Sequence, residues 1–530
     1  MDTCDFIVIG AGSAGCALTA RLVQAGKSVL LLEAGPKDNH PFIHIPATFN
    51  RVHGTRRTWM YKTEGEPFIN GRQIYIPQGR TLGGGSSVNA MIYIRGQPED
   101  YEHWRDSGCK GWGWQDVLPV FRRCEANARL GGELHGNQGP LSVSDPRHRH
   151  PLSEAFVAAA RQAGVPLNQD FNGARQEGVG FYQTTTKNGR RASSAATYLH
   201  SVRRNPLLKL IADVHVTRLL FDGLKVTGVE ARSGEGTLLR FACNAEVILC
   251  AGAIASPKIL MLSGIGPLEH LQEMGIKPVL GLDGVGRNFQ DHLSASVYGQ
   301  TRDPISLLGQ DKGFKALRHG LRYLTGRRGL LSSNVVESGG FADTRGCGRP
   351  DVQFHVVPSL VGDVDRLPPS GHGISVNPCA LRPKSRGQLK LRSHNPLDEV
   401  LLRANYLSDP DDMLTMIAGV KLAQRILRAP ALAGLLSGPL LLPDRDDLPE
   451  QDYADYVRSV AKTVFHPAGT CKMGGDEQAV VAPDLRVHGI DGLRVADASV
   501  MPSIVSGNTN APSIMIGERC ADFILERPAA

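Results

Sequence analysis

The 530-residue chain carries ten cysteines (4, 16, 109, 124, 243, 250, 347, 379, 471 and 520), and no two of them form a CxxC pair. That excludes a zinc ribbon and supplies no disulfide framework, which points to a reducing, cytosolic setting. No run of 18 apolar residues occurs, so no segment is long enough to span a bilayer as a helix. Met1-Asp2-Thr3-Cys4-Asp5 leads straight into strand-like Phe6-Ile7-Val8-Ile9, which leaves no room for a signal peptide. Charge of one sign is also scarce. The 59 Lys and Arg stand against 52 Asp and Glu, and a net +7 over a chain this long is too dilute for nucleic acid. Repeats and low-complexity tracts are absent. Aromatics make up only 6%, and the four tryptophans (59, 104, 112 and 114) leave residues 300–460 without one.

What the chain has in excess is glycine, 60 residues or about 11% against a usual level of roughly 7%. No collagen-like period accompanies it, so the surplus belongs to loops where backbone comes close to something. With 41% hydrophobic and 21% charged residues the chain is an ordinary globular protein. Its length is too great for one compact core. Phe6–Ile9, Ser13–Gln24 and Ser28–Leu32 read as a β-α-β unit. Strand character returns at 207–211 and 246–250, and again in the last 65 residues. Residues 300–460 mix strands such as 352–356 with helices such as 411–428. The expected fold is α/β: a Rossmann-like nucleotide-binding domain assembled from 1–150, 200–300 and 461–530. A second domain of antiparallel sheet and helices is expected from 151–199 and 301–460.

The first motif is Gly10-Ala11-Gly12-Ser13-Ala14-Gly15, placed between a strand and a helix. Its first glycine allows a tight turn, the second lets backbone approach a pyrophosphate, and the third lets helix and strand pack closely. Glu33, 21 residues beyond Gly12, ends the next strand where a carboxylate meets ribose hydroxyls. This predicts dinucleotide binding without separating FAD from NAD. A second glycine-dense stretch runs Gly79-Arg80-Thr81-Leu82-Gly83-Gly84-Gly85-Ser86-Ser87-Val88-Asn89. Three successive glycines suit a place where backbone N–H groups lie flat against a ligand, such as a flavin ring. No metal-ligand spacing is present.

Further segments are Gly252-Ala253-Ile254-Ala255-Ser256-Pro257, Gly286-Arg287-Asn288-Phe289-Gln290-Asp291-His292, His466-Pro467-Ala468-Gly469-Thr470 and Ser506-Gly507-Asn508-Thr509-Asn510-Ala511-Pro512. Together with the two glycine motifs they resemble the glucose–methanol–choline family of flavin-dependent oxidoreductases, from about residue 5 to 525. Within it, the bacterial alcohol and choline dehydrogenase branch is most similar. The resemblance implies FAD, with its ADP half on Gly10, Gly12, Ser13, Ala14, Gly15 and Glu33 and its adenine near the Val216 backbone. It places Leu82, Gly84, Asn89 and Met91 near the flavin and Asp497 near the ribityl–pyrophosphate part. Val88 stands where some relatives carry a flavin-linking histidine, so the cofactor is expected to be non-covalent.

The resemblance also implies a catalytic pair, His466 as base and Asn510 as its hydrogen-bonding partner. Imidazole basicity suits removal of an alcohol proton near neutral pH. The expected reaction takes a primary medium-chain or aromatic alcohol to the aldehyde, with hydride passing to flavin N5. A quinone or other acceptor then receives the electrons. The alternatives are choline oxidation to betaine aldehyde, or an oxidase using O₂. Glu337 has two open readings: it positions substrate or His466, or it is a loop carboxylate paired with an arginine. Phe314, Leu317, Leu321 and Leu324 recur at helical spacing among basic residues. A packed surface helix is the favoured reading, and peripheral contact with anionic lipid on the inner face of a membrane is the alternative. The sequence does not specify an oligomeric state.

Overall fold

The computed structural model describes residues 4–363, 366–445 and 447–526; residues 1–3, used above for the lack of a leader, lie outside them. Two seven-stranded sheets organise the chain. In the first, Leu208–Ile211, Val29–Leu32, Cys4–Ile9 and Leu238–Leu249 lie side by side and parallel. Phe6 to Ile9 and Val29 to Leu32 are buried, as expected of parallel strands covered on both faces. The long Leu238–Leu249 strand continues the sheet into antiparallel Lys225–Ser233 and Val214–Asp222. Its far end pairs parallel with Leu493–Val495, so both chain ends close onto one sheet.

The first and last helices, Ser13–Gln24 and Asn510–Ile524, pack on each other over this sheet. Gly517 makes their approach possible, since a Cβ there would lie 2.3 Å from the Ala14 carbonyl oxygen. The second sheet is antiparallel. Its order is Lys462–Thr463, Leu293–Ser294, Gly373–Ala380, Val352–Val357, Ser338–Ala342 and Gly178–Phe181, with Val297–Gln300 also on Gly373–Ala380. Helix Pro410–Arg428 covers it. Asp409 caps that helix through the Asp411 N–H, Pro410 opens it, and Arg425 and Arg428 end it.

The fold class is thus the expected α/β one, with a difference at the limits. Strands at 293–300 and 462–463 belong to the second sheet, slightly inside the expected limits of 300 and 461. The chain therefore crosses between sheets near residues 291–292 and 464–466. The helix Glu450–Val460 hands over to the short strand Lys462–Thr463 just before the second crossing. Among the described residues, no helix is long and apolar enough to cross a membrane.

Candidate active site

The phosphate loop has the form its residues dictate. Gly10 turns with φ +98°, and a Cβ on Gly15 would lie 2.0 Å from the Gly10 carbonyl oxygen, so only glycine lets this helix seat. On Gly12 a Cβ would meet only the Cys250 carbonyl oxygen, at 3.8 Å, which leaves that side open. The helix starting at Ser13 has no side-chain cap and no acidic residue in its first turn, so its N–H groups are free for an anion. The second glycine motif packs onto the first. Gly83 N–H donates to the Ala11 carbonyl at 2.7 Å, and a Cβ on Gly84 would lie 2.7 Å from Gly12 Cα.

Glu33 is buried, its carboxylate accepting from Ala11 N–H at 2.9 Å and Gly35 N–H at 2.8 Å. Burial pushes it up to about 7. Val214 N–H donates to the Glu33 carbonyl at 2.9 Å, which holds the strand bearing Val216 beside this carboxylate. Asp497 accepts from Gly252 N–H (2.8 Å), Ser256 Oγ (2.6 Å) and Ser499 N–H (2.8 Å), tying the C-terminal segment to the Gly252–Leu262 helix. Asn89 Oδ1 accepts from Met91 N–H at 3.0 Å and from Arg191 at 2.8 Å. Leu82 is held through its carbonyl by Ser87 Oγ at 2.7 Å. An open Gly12, an uncapped helix N-terminus and a strand-end carboxylate fit the pyrophosphate and ribose of FAD.

His466 lies at one of the crossings between sheets, and His292 at the other. His466 N–H donates to Asp291 Oδ1 at 2.8 Å, and His292 N–H donates to the same oxygen at 2.9 Å. Asp291 also accepts from Tyr406 at 2.7 Å and from the Thr463 hydroxyl, so one buried carboxylate orders both crossings. Burial pushes this carboxylate up to about 6. The Nδ1 atoms of the two histidines are 2.9 Å apart, and His292 Nε2 meets the Leu381 carbonyl at 2.9 Å. His466 Nε2 faces Asn508 Nδ2 at 3.2 Å, and Asn508 Oδ1 in turn accepts from Gln353 at 3.1 Å. Burial, with His292 and His355 nearby, holds His466 well below the usual histidine range, so its ring is neutral.

The expected partner Asn510 is not at His466. The C-terminal helix begins at Asn510 itself, and the Asn510 side chain turns onto the phosphate loop. There its Oδ1 accepts from Ser13 Oγ at 2.7 Å. Asn508, two residues earlier and still outside the helix, supplies the amide instead. The sequence reading also missed Asp291 and His292 as parts of the site, although both stand in the quoted 286–292 segment. Arg191 is a further omission: it is buried, pushed down to about 9, and donates to the carbonyls of Ile43 and Ser86 as well as to Asn89. A buried guanidinium with three acceptors was the signal only structure could show.

Among the described residues, Glu337 is paired with no arginine. It is 1% exposed and accepts from His150 N–H at 2.6 Å and Ser333 Oγ at 2.5 Å, with His148 Nδ1 at 2.7 Å. Its oxygens are thus engaged within the protein. Trp59 is occupied too. The Arg80 guanidinium sits 4.3 Å over its ring, Tyr61 stacks on it and His215 meets it edge-on.

The family models of the GMC oxidoreductases match residues 4–294 and 383–517. An alcohol dehydrogenase [acceptor] of Pseudomonas putida is 43% identical, over 99% of this chain and 96% of its own length. The mitochondrial choline dehydrogenase of Homo sapiens is 42% identical over 100% and 91%. A structure of formate oxidase from Aspergillus oryzae, solved to study FAD modification, superposes with a TM-score of 0.91 at 27% identity, covering 99% of this chain and 98% of that one. With family models matching both halves and relatives above 40% identical over the whole chain, this chain belongs to the GMC oxidoreductase family as an FAD-dependent oxidoreductase.

Proposed function

We propose that the chain oxidises an uncharged primary alcohol, medium-chain or aromatic, to its aldehyde and passes the electrons to a quinone or other organic acceptor. The observation that carries this reading is the state of His466. Its Nδ1 is engaged by His292 and its neutral Nε2 faces the Asn508 amide. An alcohol oxygen that approaches both groups and replaces their mutual contact gives its proton to Nε2 and receives a hydrogen bond from Nδ2. Both contacts favour the alkoxide form, from which hydride leaves the carbinol carbon more readily. Asp291 fixes both histidine backbones, so the base needs little reorganisation during the transfer. Bound FAD supplies the two-electron acceptor, held by the phosphate loop, Glu33, Asp497 and the 82–91 segment without a covalent link at Val88.

The preference for an uncharged alcohol rests on what a quaternary ammonium requires, an aromatic cage or an unpaired carboxylate. Trp59 already holds Arg80, and Trp104 and Trp112 are buried in a cluster with Tyr101 and Phe523. Glu337 is satisfied by His148, His150 and Ser333. Choline is the second reading, favoured by the human relative's name. Steady-state assays with an artificial acceptor, comparing choline, 1-octanol and benzyl alcohol, separate the two. The highest kcat/KM for choline overturns the proposal. One-for-one peroxide production in air overturns the organic acceptor. A visible flavin spectrum that no alcohol bleaches anaerobically overturns the reaction itself.

A further inference from the structure

We infer that the helix Gly313–Gly326 is a docking face for an anionic lipid bilayer. This inference does not depend on which alcohol is oxidised. The helix rests on the protein through Tyr323, which is 8% exposed and donates its hydroxyl to the Gly189 carbonyl at 3.0 Å. At 100° per residue, Phe314, Leu317, Leu321 and Leu324 fall within one narrow stripe on the outer side. They are 78%, 59%, 54% and 81% exposed, and Leu308 in the preceding loop is 47% exposed. A row of apolar side chains this open is not part of a core, and no described residue covers it.

Beside the stripe, Lys315, Arg318 and Arg322 form a basic row, and Lys312, Arg327 and Arg328 flank the helix ends. All six are exposed, residues 312–328 contain no acidic residue, and among the described residues none of the six has a carboxylate partner. This combination of a shallow apolar stripe and unpaired cations matches a surface with anionic headgroups above hydrocarbon. A second copy of the chain is a poorer occupant. A two-fold contact along the stripe would bring two like-charged basic rows together, on a chain already carrying +7.

Contacts run from the start of this helix towards the segment of the base. Asp311, two residues before it, pairs with Arg51 at 3.0 Å, at the end of the turn Pro46–Val52. His53, next in the chain, meets the Phe465 ring edge-on with centroids 6.2 Å apart, and Phe465 precedes His466. The helix is thus joined through Arg51, His53 and Phe465 to the segment that carries His466.

The test is flotation of the FAD-loaded enzyme with vesicles of phosphatidylcholine alone or with about one-third phosphatidylglycerol. Wild type is expected to float with the anionic vesicles only, and less at high salt. Arg318→Ala/Arg322→Ala should weaken partitioning about 30-fold, at roughly fivefold per cation. Leu317→Glu/Leu321→Glu should abolish it, and Phe314→Ser/Leu324→Ser provides an independent check on the stripe. Each variant is expected to oxidise a water-soluble alcohol with a soluble dye at the wild-type rate, which reports an intact fold. Failure of wild type to float overturns the inference, as does flotation of both stripe variants like wild type. So does a dimer in sedimentation velocity that the stripe variants dissolve while wild type ignores vesicles. Anionic-vesicle binding by an enzyme inactive on every alcohol would sustain docking and sink the proposed reaction.

Discussion

The Nδ1 atoms of His292 and His466 lie 2.9 Å apart, and only one proton fits between them. The Leu381 carbonyl, 2.9 Å from His292 Nε2, has no proton to give, so His292 carries its proton on Nε2 and presents a lone pair at Nδ1. His466 must then be the donor at Nδ1, which leaves its Nε2 unprotonated and facing Asn508. His292 is a positioning residue that selects the useful tautomer of the base. Replacing it by Leu removes that selection and is expected to lower kcat/KM on the order of 10²-fold. His292→Gln, whose amide oxygen accepts the same proton, should recover a large part of the loss. Equal kcat/KM for the two variants would refute the tautomer argument.

Removing the base itself gives a larger effect. His466→Ala is expected to keep FAD bound, since no contact of this ring involves the phosphate loop, and to lose roughly 10²–10⁴-fold in kcat/KM. The flavin spectrum and the steady-state rate are read on the same preparation. Near-normal turnover with full flavin content would sink the role of His466.

Asn508 and Asn510 should separate cleanly. Asn508→Ala removes the amide facing His466 Nε2 and is expected to lower kcat by about 10²–10³-fold with flavin content unchanged, the magnitude of losing one charge-stabilising donor. Asn510→Ala leaves Ser13 Oγ without its 2.7 Å acceptor, so it should loosen FAD while turnover per bound flavin stays near wild type. The reverse pattern would return the catalytic amide to Asn510.

These two asparagines show where sequence reading stops. The β-α-β unit was legible because burial on both faces makes its strands continuously apolar, and the Ser13–Gln24 helix has the bounds its spacing implied. His466 was legible from the resemblance, which fixes a position in a motif. The partner depended on where a helix begins, and a start at Asn510 turned that residue to a different neighbour and left Asn508 outside the helix. Asp291 and Tyr406 are 115 residues apart and their hydrogen bond has no local trace in the chain. The same holds for the contact of Gly84 with Gly12, which joins two motifs that sequence shows only separately. The exposed stripe on Gly313–Gly326 was visible as spacing, but spacing does not say which side of a helix faces the core.

Burial of the histidine pair also predicts how stability depends on pH. His292 is fully buried and pushed down to about 4, against an ordinary value near 6.5 in the unfolded chain. Above pH 6.5 both states hold it neutral, and its contribution is fully present. Below 6.5 the unfolded chain gains a proton that the folded protein refuses, so stability falls with pH until the folded group titrates near 4. Between pH 6.5 and 5 this amounts to about 2 kcal/mol, at roughly 1.4 kcal/mol per unit. His466, depressed in the same direction, adds to the loss. Asp291 and Glu33, pushed up to about 6 and about 7, oppose it, because the folded protein keeps protons there that the unfolded chain has released. The slope of the wild type is therefore a difference, and a single substitution isolates one part. His292→Asn should be less stable than wild type at pH 8 but lose about 2 kcal/mol less on going to pH 5. Urea midpoints at both pH values, with FAD in fixed excess, measure this. If variant and wild type lose the same stability, His292 titrates near its ordinary value in the folded protein, and the neutral, buried pair on which the tautomer argument rests is wrong.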